Sequence, residues 1–289
     1  YYNIADFSVW DYVGGVEDIR SGVMKLIGDP EDRYREDPVR MLRAVRFAAK
    51  LDFRIDADSE KPLRELGSLL EDMPASRLSD ECLKMFLSGH GIRSYELLQK
   101  YGLFRYLFPS THEALEADST GSLKSLVVRS LENTDRRVAK GLPVTPLFMF
   151  GVFLWGPTQA LARELQQAGD GPLAALIEAA DTVLRGQQPH VAIPKRYGIP
   201  MKEMMVMQLR FRRQHGRRAL RLVEHPRFRA AYDFLKLRTE AGDEDPATAK
   251  FWGELEGMDV EHRRTAVDPH KGRPRKRRRK PRRRRSPKE

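Results

Sequence analysis

The sequence predicts a mostly α-helical protein with a short β-containing segment at the N-terminus and a disordered basic tail at the C-terminus. From residue 36 to residue 256, apolar residues recur at spacings of three and four, which is the period of amphipathic helices. Glycines separate these segments, as expected for connections between helices. Hydrophobic residues make up 40% of the 289 residues, which suits a globular core. The predicted helices are 37–51, 58–71, 76–89, 92–101, 121–139, 145–155, 158–168, 171–185, 200–214, 216–224, 226–241 and 246–256.

Residues 1–30 have a different pattern and predict two short strands. Apolar residues over 7–13 and again over 23–27 are strand-like, and Gly14-Gly15 between them predicts a turn. Strands this short are not stable without partners, so we expect an incomplete sheet with exposed edges.

The C-terminal tail carries the excess positive charge of the chain. Residues 271–289 hold 13 Lys or Arg and one acidic residue, a net charge of +12. Subtracting this from the chain's +11 leaves −1 for residues 1–270. The density of like charge and three prolines predict a disordered tail, and a mobile polycation would speed the capture of a polyanionic partner more than it would add specificity. Residues 242–270 are acidic and then polar, and we interpret most of them as a linker.

Composition excludes several other classes of protein. Cys82 is the only cysteine, so the chain has no internal disulfide, which fits a cytoplasmic protein. The most apolar run, residues 146–155, is too short to span a bilayer and predicts a buried helix. The histidines lack the spacing of a zinc site, and we predict no metal site in this chain.

The segment that begins at Glu36 has a pattern that can read a nucleobase. Asp37-Pro38 predicts a helix start, and Asp37 and Arg40 share a face at the N-terminus of that helix. A carboxylate can accept from the N6 amino group of adenine while a guanidinium donates to N1. The two side chains can also brace each other by a charge-assisted hydrogen bond. Cytosine presents the same order of donor and acceptor, whereas guanine and uracil present the reverse, so this pair would select A and C.

A simpler interpretation of the same residues stays open. Asp37 would only cap the helix, and Glu36 would only bridge to Arg40 at a spacing of four.

The chain resembles the class II nucleotidyltransferase family, which contains bacterial poly(A) polymerases and CCA-adding enzymes. Residues 36–40, Glu-Asp-Pro-Val-Arg, resemble its E-D-x-x-R nucleotide-recognition motif. Residues 11–20 resemble its D-x-x-G-G-x-x-D stretch, and residues 77–84 its R-x-x-x-E-x-x-K neck motif. Residues 192–196 and 224–233 are similar to the poly(A) polymerase branch.

The resemblance implies template-independent transfer of AMP from ATP to RNA 3′ ends. The alternatives are a CCA-adding enzyme and a non-catalytic RNA-binding fragment. Asp37 and Arg40 would recognise the base. Arg43 and Arg46 would contact the ribose or the triphosphate, or brace Asp37. The implied nucleotide-binding residues are Asp37, Arg40, Glu36, Arg43 and Arg46, and the implied neck supports are Arg77, Glu81 and Lys84.

The head domain of the family carries a Gly-rich loop, a D-x-D pair and an R-R-D-F-T segment, none of which is visible here. Because the first residue is Tyr, we expect the chain to begin just after that segment, to be inactive alone, and to leave the ligands of two Mg²⁺ outside it. Asp56 and Asp58 have the D-x-D spacing but follow the recognition helix, so we interpret them as a turn and helix cap. We interpret Asp29, Glu31 and Asp32 around Pro30 as a loop.

We therefore expect four regions in a monomeric protein. They are a head remnant (1–30), a helical neck with the recognition motif (31–115), a helical RNA-binding body (116–241), and a linker with the polybasic tail (242–289).

Besides the tail, one basic surface is expected to bind RNA. Lys and Arg neutralise phosphates without choosing sequence, and Phe211 and His215 among them could stack on bases. The alternative is that Leu209, Phe211 and nearby leucines form core while the arginines are a solvated face. The expected RNA-binding residues are Lys195, Arg196, Arg210, Arg212, Arg213, Arg217, Arg218 and Arg221.

Overall fold

The computed structural model describes residues 1–267, which fold into a helical protein with a single two-stranded parallel sheet among the residues described. The predicted basic tail lies outside the described residues. The N-terminal half contains α1 (Gly15–Arg20), β1 (Val23–Met24), α2 (Pro30–Glu36), α3 (Val39–Leu51), β2 (Arg54–Ile55), α4 (Ala57–Glu65), a 3₁₀ helix (Gly67–Asp72), α5 (Ala75–Phe86), α6 (Gly91–Lys100), α7 (Phe104–Leu107) and α8 (Pro109–Glu116).

The C-terminal half is a bundle of longer helices. None of the helices in the described part is long and apolar enough to cross a bilayer. The helices of this half are α9 (Ser122–Ala139), α10 (Pro146–Phe153), α11 (Trp155–Gln167), α12 (Pro172–Gln187), α13 (Lys195–Phe211), α14 (Arg217–Val223), α15 (Phe228–Glu240), α16 (Pro246–Gly257) and α17 (Val260–Val267).

Of the two strands expected in residues 1–30, the one over 7–13 is wrong, and the one over 23–27 is present only as Val23–Met24. The Gly14-Gly15 turn leads into helix α1, because the Asp11 carboxylate accepts hydrogen bonds from the backbone N–H groups of Val13 and Val16, at 3.1 and 2.8 Å. Strand β1 is only two residues long and pairs in parallel with β2. Its partner follows α3 in the chain, so no local pattern near β1 could predict the pairing.

Local capping explains the start of two neck helices. Asp29 accepts from the backbone N–H of Asp32 at 3.0 Å and caps α2, so the loop expected around Pro30 is wrong. Asp56 accepts from the backbone N–H of Asp58 and caps α4, which confirms the predicted turn and cap. Helices α7 and α8 were not predicted, because four and eight residues are too few for a clear helical period.

The recognition helix α3 is anchored by its apolar face. Val39, Leu42, Val45 and Ala49, the predicted stripe, are all buried. Of the charged side chains on the other face, Arg46 pairs with Glu81 of α5, which packs beside α3, whereas Arg43 and Lys50 are exposed.

The body buries the most apolar run of the sequence, as predicted. In α10, Phe150 and Phe153 are completely buried, so this run belongs to the core. One hydrophobic core runs from Tyr34 to Val267, so neck and body share it. The boundary expected near residue 115 stays a prediction.

The helix predicted over 246–256 is confirmed as α16, whereas the linker expected after it is wrong at 260–267, which form α17. Helices α16 and α17 occupy 246–267, and Trp252 at the centre of α16 is completely buried. Trp252 donates its indole N–H to the carbonyl of Phe211, at 2.8 Å. Helix α17 was not predicted because Val267 is its one buried residue, and the carbonyl of Val267 accepts from the backbone N–H of Gly216 at 2.9 Å.

Candidate nucleotide and RNA-binding sites

Asp37 lies at the junction of α2 and α3, where the chain turns into the recognition helix. Its Oδ1 atom accepts from the backbone N–H of Val39 at 3.3 Å, which supports the predicted capping role. Its two carboxylate oxygens also accept from one nitrogen of Arg77, Nη2, at 3.1 and 3.0 Å. Arg77 is in the first turns of α5, so the docking of α5 on α3 orients the Asp37 carboxylate.

Arg40 is held by a different set of atoms. Its Nη1 donates to Glu36 Oε2 at 2.7 Å and to the backbone carbonyl of Arg33 at 2.8 Å. The Arg33 guanidinium donates to the same Glu36 oxygen at 2.6 Å. The hydrogen bond from Arg40, together with the charges of both arginines, lowers the pKa of the Glu36 carboxyl below its ordinary value. Glu36 is therefore ionised at neutral pH and anchors Arg40.

The expected brace between Asp37 and Arg40 is absent from residues 1–267, and the expectation is wrong. Each side chain has a different partner instead. Glu36 precedes Arg40 by one turn and pairs with it, and the docking of α5 brings Arg77 to Asp37. The Glu36–Arg40 bridge is the contact that the simpler interpretation expected. The side chains of Asp37 and Arg40 are 24% and 29% exposed, so both can be reached by a ligand. The base-reading role stays a prediction.

The second pair between the same helices is more buried. Arg46 Nε donates to Glu81 Oε2 at 2.9 Å, and Lys84 donates to the other oxygen at 2.9 Å. Arg46 and Glu81 are 18% and 8% exposed. Arg46 is therefore committed to α5 and does not brace Asp37, whereas Arg43 is exposed on the same helix.

Most of the predicted RNA-binding arginines meet in one groove at the far end of the body. We call it the arginine groove, and its volume is about 700 Å³. Its opposite wall is formed by Gly171 and by residues 172–174 in the first turn of α12, a helix start that no side chain caps. The predicted residues that line it are Arg210, Arg212, Arg213, Arg218 and Arg221.

Three residues of the predicted RNA-binding set lie elsewhere. Arg217 is exposed on α14 but does not line the groove. Lys195 and Arg196 occupy the first turn of α13, while Arg210 is in its last turn. At 1.5 Å per residue this separates the two ends by about 22 Å, so the expectation of one continuous cluster is wrong.

Phe211 and His215 were expected to stack on bases, and this expectation is wrong for Phe211. Phe211 is completely buried, and its ring packs edge-on against Phe228 and Trp252, with centroids 5.8 and 5.2 Å away. His215 is exposed, and the ring that lines the groove is that of His225. The sequence did not predict that α12 and His225 line the groove, because both reach it only through tertiary packing.

A buried charge network lies next to the arginine groove. Arg238 is 2% exposed and donates to Asp243 at 2.7 Å and to Glu244 at 3.2 Å. Its guanidinium also lies over the Trp155 ring, 4.6 Å from the centroid. Glu244 in turn accepts from Arg212 at 3.3 Å, so the network fixes one arginine of the groove.

Within residues 1–267, no three His, Cys, Asp or Glu side chains cluster so as to hold a metal ion.

Two family descriptions and several relatives place the chain in the polymerase A class of nucleotidyltransferases. Residues 168–286 match the family described as "Polymerase A arginine-rich C-terminus". Residues 52–115 match the one described as "Probable RNA and SrmB- binding site of polymerase A". The chain belongs to the bacterial poly(A) polymerase branch of the class II nucleotidyltransferase family.

Several proteins illustrate the similarity. Poly(A) polymerase I of Salmonella typhi is 42% identical over 259 residues, which are 89% of this chain and 56% of that protein. The chain thus spans little more than half of that relative. The CCA-adding enzyme of Leuconostoc mesenteroides is 38% identical over 107 residues, 37% of this chain and 26% of that enzyme. A solved tRNA-processing enzyme complex shares the fold with a TM-score of 0.54 at 20% identity, over 89% of this chain and 64% of that one.

Proposed function

We propose that this chain supplies base recognition and RNA binding to a protein that adds AMP from ATP to RNA 3′ ends in the bacterial cytoplasm. The observation that carries this proposal is the arrangement of Asp37 and Arg40 at one helix entrance. Each is oriented by its own partner, Arg77 or Glu36, and each is still partly exposed. An acceptor and a donor are thereby presented side by side before any nucleotide arrives, which lowers the cost of ordering them on binding.

The chemistry of this pair follows from its hydrogen-bonding groups. Asp37 accepts from the exocyclic amino group of adenine, and Arg40 donates to the neighbouring ring nitrogen. Guanine offers the reversed order, so a carboxylate would face a carbonyl and a guanidinium would face an N–H group. Unpaired polar groups in a binding site are costly, and this cost is what rejects the wrong base.

RNA binding is proposed for the arginine groove and for the pair Lys195 and Arg196. The groove concentrates five guanidinium groups around a concave surface, which suits phosphates of any sequence. The family description that covers residues 52–115 supports a further RNA contact on the neck. Magnesium and the residues that would bind it are proposed only for the whole protein.

Arg40→Ala in the full-length enzyme tests base reading. We expect the preference for ATP over GTP to fall by at least about tenfold, since a hydrogen bond to a charged group contributes about 1.5–3 kcal/mol, while RNA affinity stays the same. The measurement is kcat/KM for each nucleotide with a generic RNA, together with the Kd for RNA.

Arg35→Ala is the matched control, because Arg35 is an exposed arginine on α2 that pairs with Glu31 and not with the recognition pair. It should leave selectivity unchanged. An equal loss for all four nucleotides in the Arg40 variant, accompanied by weaker RNA binding, would refute the base-reading role.

CCA addition is the second candidate, because the similarity to the Leuconostoc mesenteroides CCA-adding enzyme covers 107 residues. The full-length protein should then incorporate CTP and prefer a tRNA that lacks its terminal CCA. Extension with ATP alone on a generic RNA would support poly(A) addition and exclude this candidate.

A further inference from the structure

The arginine groove does not end at the arginines. A second groove of about 300 Å³ continues from it between α12 and α13, and Arg210 and His225 line both. The two helices are antiparallel, since Pro172 lies beside the last turn of α13 and Leu184 lies against Gly198 near its start. The two grooves together therefore follow the length of α13 toward its N-terminus.

The middle of this path is apolar and electrically balanced. Ile177 of α12 and Ile199 of α13 line it with 43% and 55% of their surfaces exposed. Its charged side chains are paired, because Lys202 donates to Asp181 and Glu203 bridges to Arg227 at 3.5 Å. Such a surface offers apolar contacts and paired charges, so it suits bases and riboses better than phosphates.

The far end of the path is basic again and lies next to the neck. Lys195 and Arg196 are exposed in the first turn of α13. Three residues before Lys195, the backbone N–H of Ala192 donates to the carbonyl of Ala75 at 3.1 Å. Ala75 begins α5, the helix whose Arg77 holds Asp37. This end of the path is therefore the one that adjoins the candidate nucleotide site.

We propose that single-stranded RNA lies along the α12–α13 groove, with its 3′ end at Lys195 and Arg196 and its upstream part in the arginine groove. The inference rests on the proposed function, which requires the 3′-hydroxyl to reach the bound nucleotide. The two basic ends are about 22 Å apart. At the 3.4 Å spacing of a stacked strand, this length accommodates about six nucleotides. The arginines hold phosphates at one end, and the isoleucines contact bases in the middle.

Site-directed cross-linking can trace this path in the full chain. Cys82 is completely buried and its burial raises the pKa of its thiol, so a cysteine introduced at the surface is the one that a maleimide reagent labels. Leu173→Cys reports on the arginine groove, and Ile199→Cys reports on the far half of the path. Leu142→Cys is the matched control, since Leu142 is 45% exposed in the α9–α10 connection and Leu173 is 48% exposed.

Each variant is labelled with a photoactivatable benzophenone and irradiated with an eight-nucleotide oligoadenylate. We expect Leu173→Cys and Ile199→Cys to form several-fold more RNA adduct than Leu142→Cys. We also expect the Ile199 adducts to map about five nucleotides closer to the 3′ end, because about 16 Å of helix separates the two positions.

The outcomes of the cross-linking experiment distinguish a failure of the proposed RNA path from a failure of the proposed function. If the chain binds the RNA, and Arg210→Gln with Arg213→Gln weakens binding, but groove and control positions cross-link equally, the path is wrong and RNA binding stands. Adducts in the reverse order overturn the proposed polarity. A protein–protein adduct at position 199 in place of an RNA adduct would mean that the groove holds a second copy of the chain. If the full chain does not bind RNA at all, the proposed function itself fails.

Discussion

At the residue scale, two polar pairs hold the two main side chains of the candidate nucleotide site. Asp37 is paired with Arg77 across two helices, and Arg40 is paired with Glu36 within one segment. The simpler interpretation of the sequence predicted Glu36 as the partner of Arg40, but nothing in the sequence predicted Arg77 as the partner of Asp37. The Asp37–Arg77 contact joins positions 40 apart in sequence and exists only because α5 docks on α3.

Arg77 should act as a positioning residue for Asp37. Arg77→Gln removes the charge that orients the carboxylate, so we expect KM for ATP to rise several-fold in the full-length enzyme, with a smaller change in kcat. Both hydrogen bonds come from the single atom Nη2. A lysine ammonium can replace that atom, so Arg77→Lys should recover most of the loss. A purely structural role would instead lower thermal stability and kcat together, without rescue by lysine.

At the scale of secondary-structure elements, helices α3 and α5 dock on each other through side-chain contacts. The apolar stripe of α3 and the capping role of Asp37 were predictable, because both are local patterns of spacing and residue type. The pairing of Arg46 with Glu81 was not, because it depends on the rotation of α5 about its own axis. The same limit applies to the arginine groove, where one wall comes from α12, whose first turn carries no charge.

Glu81→Gln should destabilise the docked pair of helices. The change leaves the guanidinium of Arg46, 18% exposed, without its anionic partner. We expect the free energy of unfolding to fall by about 2 kcal/mol, below the 3–5 kcal/mol typical of a fully buried pair. Urea denaturation measures this difference. In the control Glu31→Gln, the broken pair with Arg35 is about half exposed, so the loss should stay under about 1 kcal/mol. Equal losses in the two variants would mean that burial of the Arg46 pair contributes nothing.

At the scale of the whole molecule, the placement of charge matters more than its sum. Residues 1–270 carry a net charge near zero, yet five arginines line one groove at one end of the body. Many other basic residues are neutralised by acidic neighbours, as Arg229 is by Asp233 and Glu256. A sequence reveals the sum and the clusters along the chain. It does not reveal which arginines have acidic partners in space, and this distinction separates a binding surface from a solvated face.

Salt dependence of RNA binding should separate the groove from the tail. A plot of log K against log salt concentration has a negative slope. For a single strand, each RNA phosphate that the protein no longer neutralises makes this slope less steep by about 0.7. Arg210→Gln with Arg213→Gln should therefore make the slope less steep by about 1.4. Arg229→Gln is the control of similar chemistry, and it should leave the slope unchanged because two carboxylates already neutralise that arginine.

A chain that ends at residue 270 keeps Val267, which is buried at the end of α17, and loses the 13 basic residues of the tail. Its slope should become much less steep still, because the lost segment carries 13 of the basic residues of the chain. The decrease caused by the two groove substitutions should persist at the same size in this shorter chain, since independent contacts contribute additively. If that decrease disappears without the tail, the tail itself holds the RNA, and the groove arginines act only by attracting it.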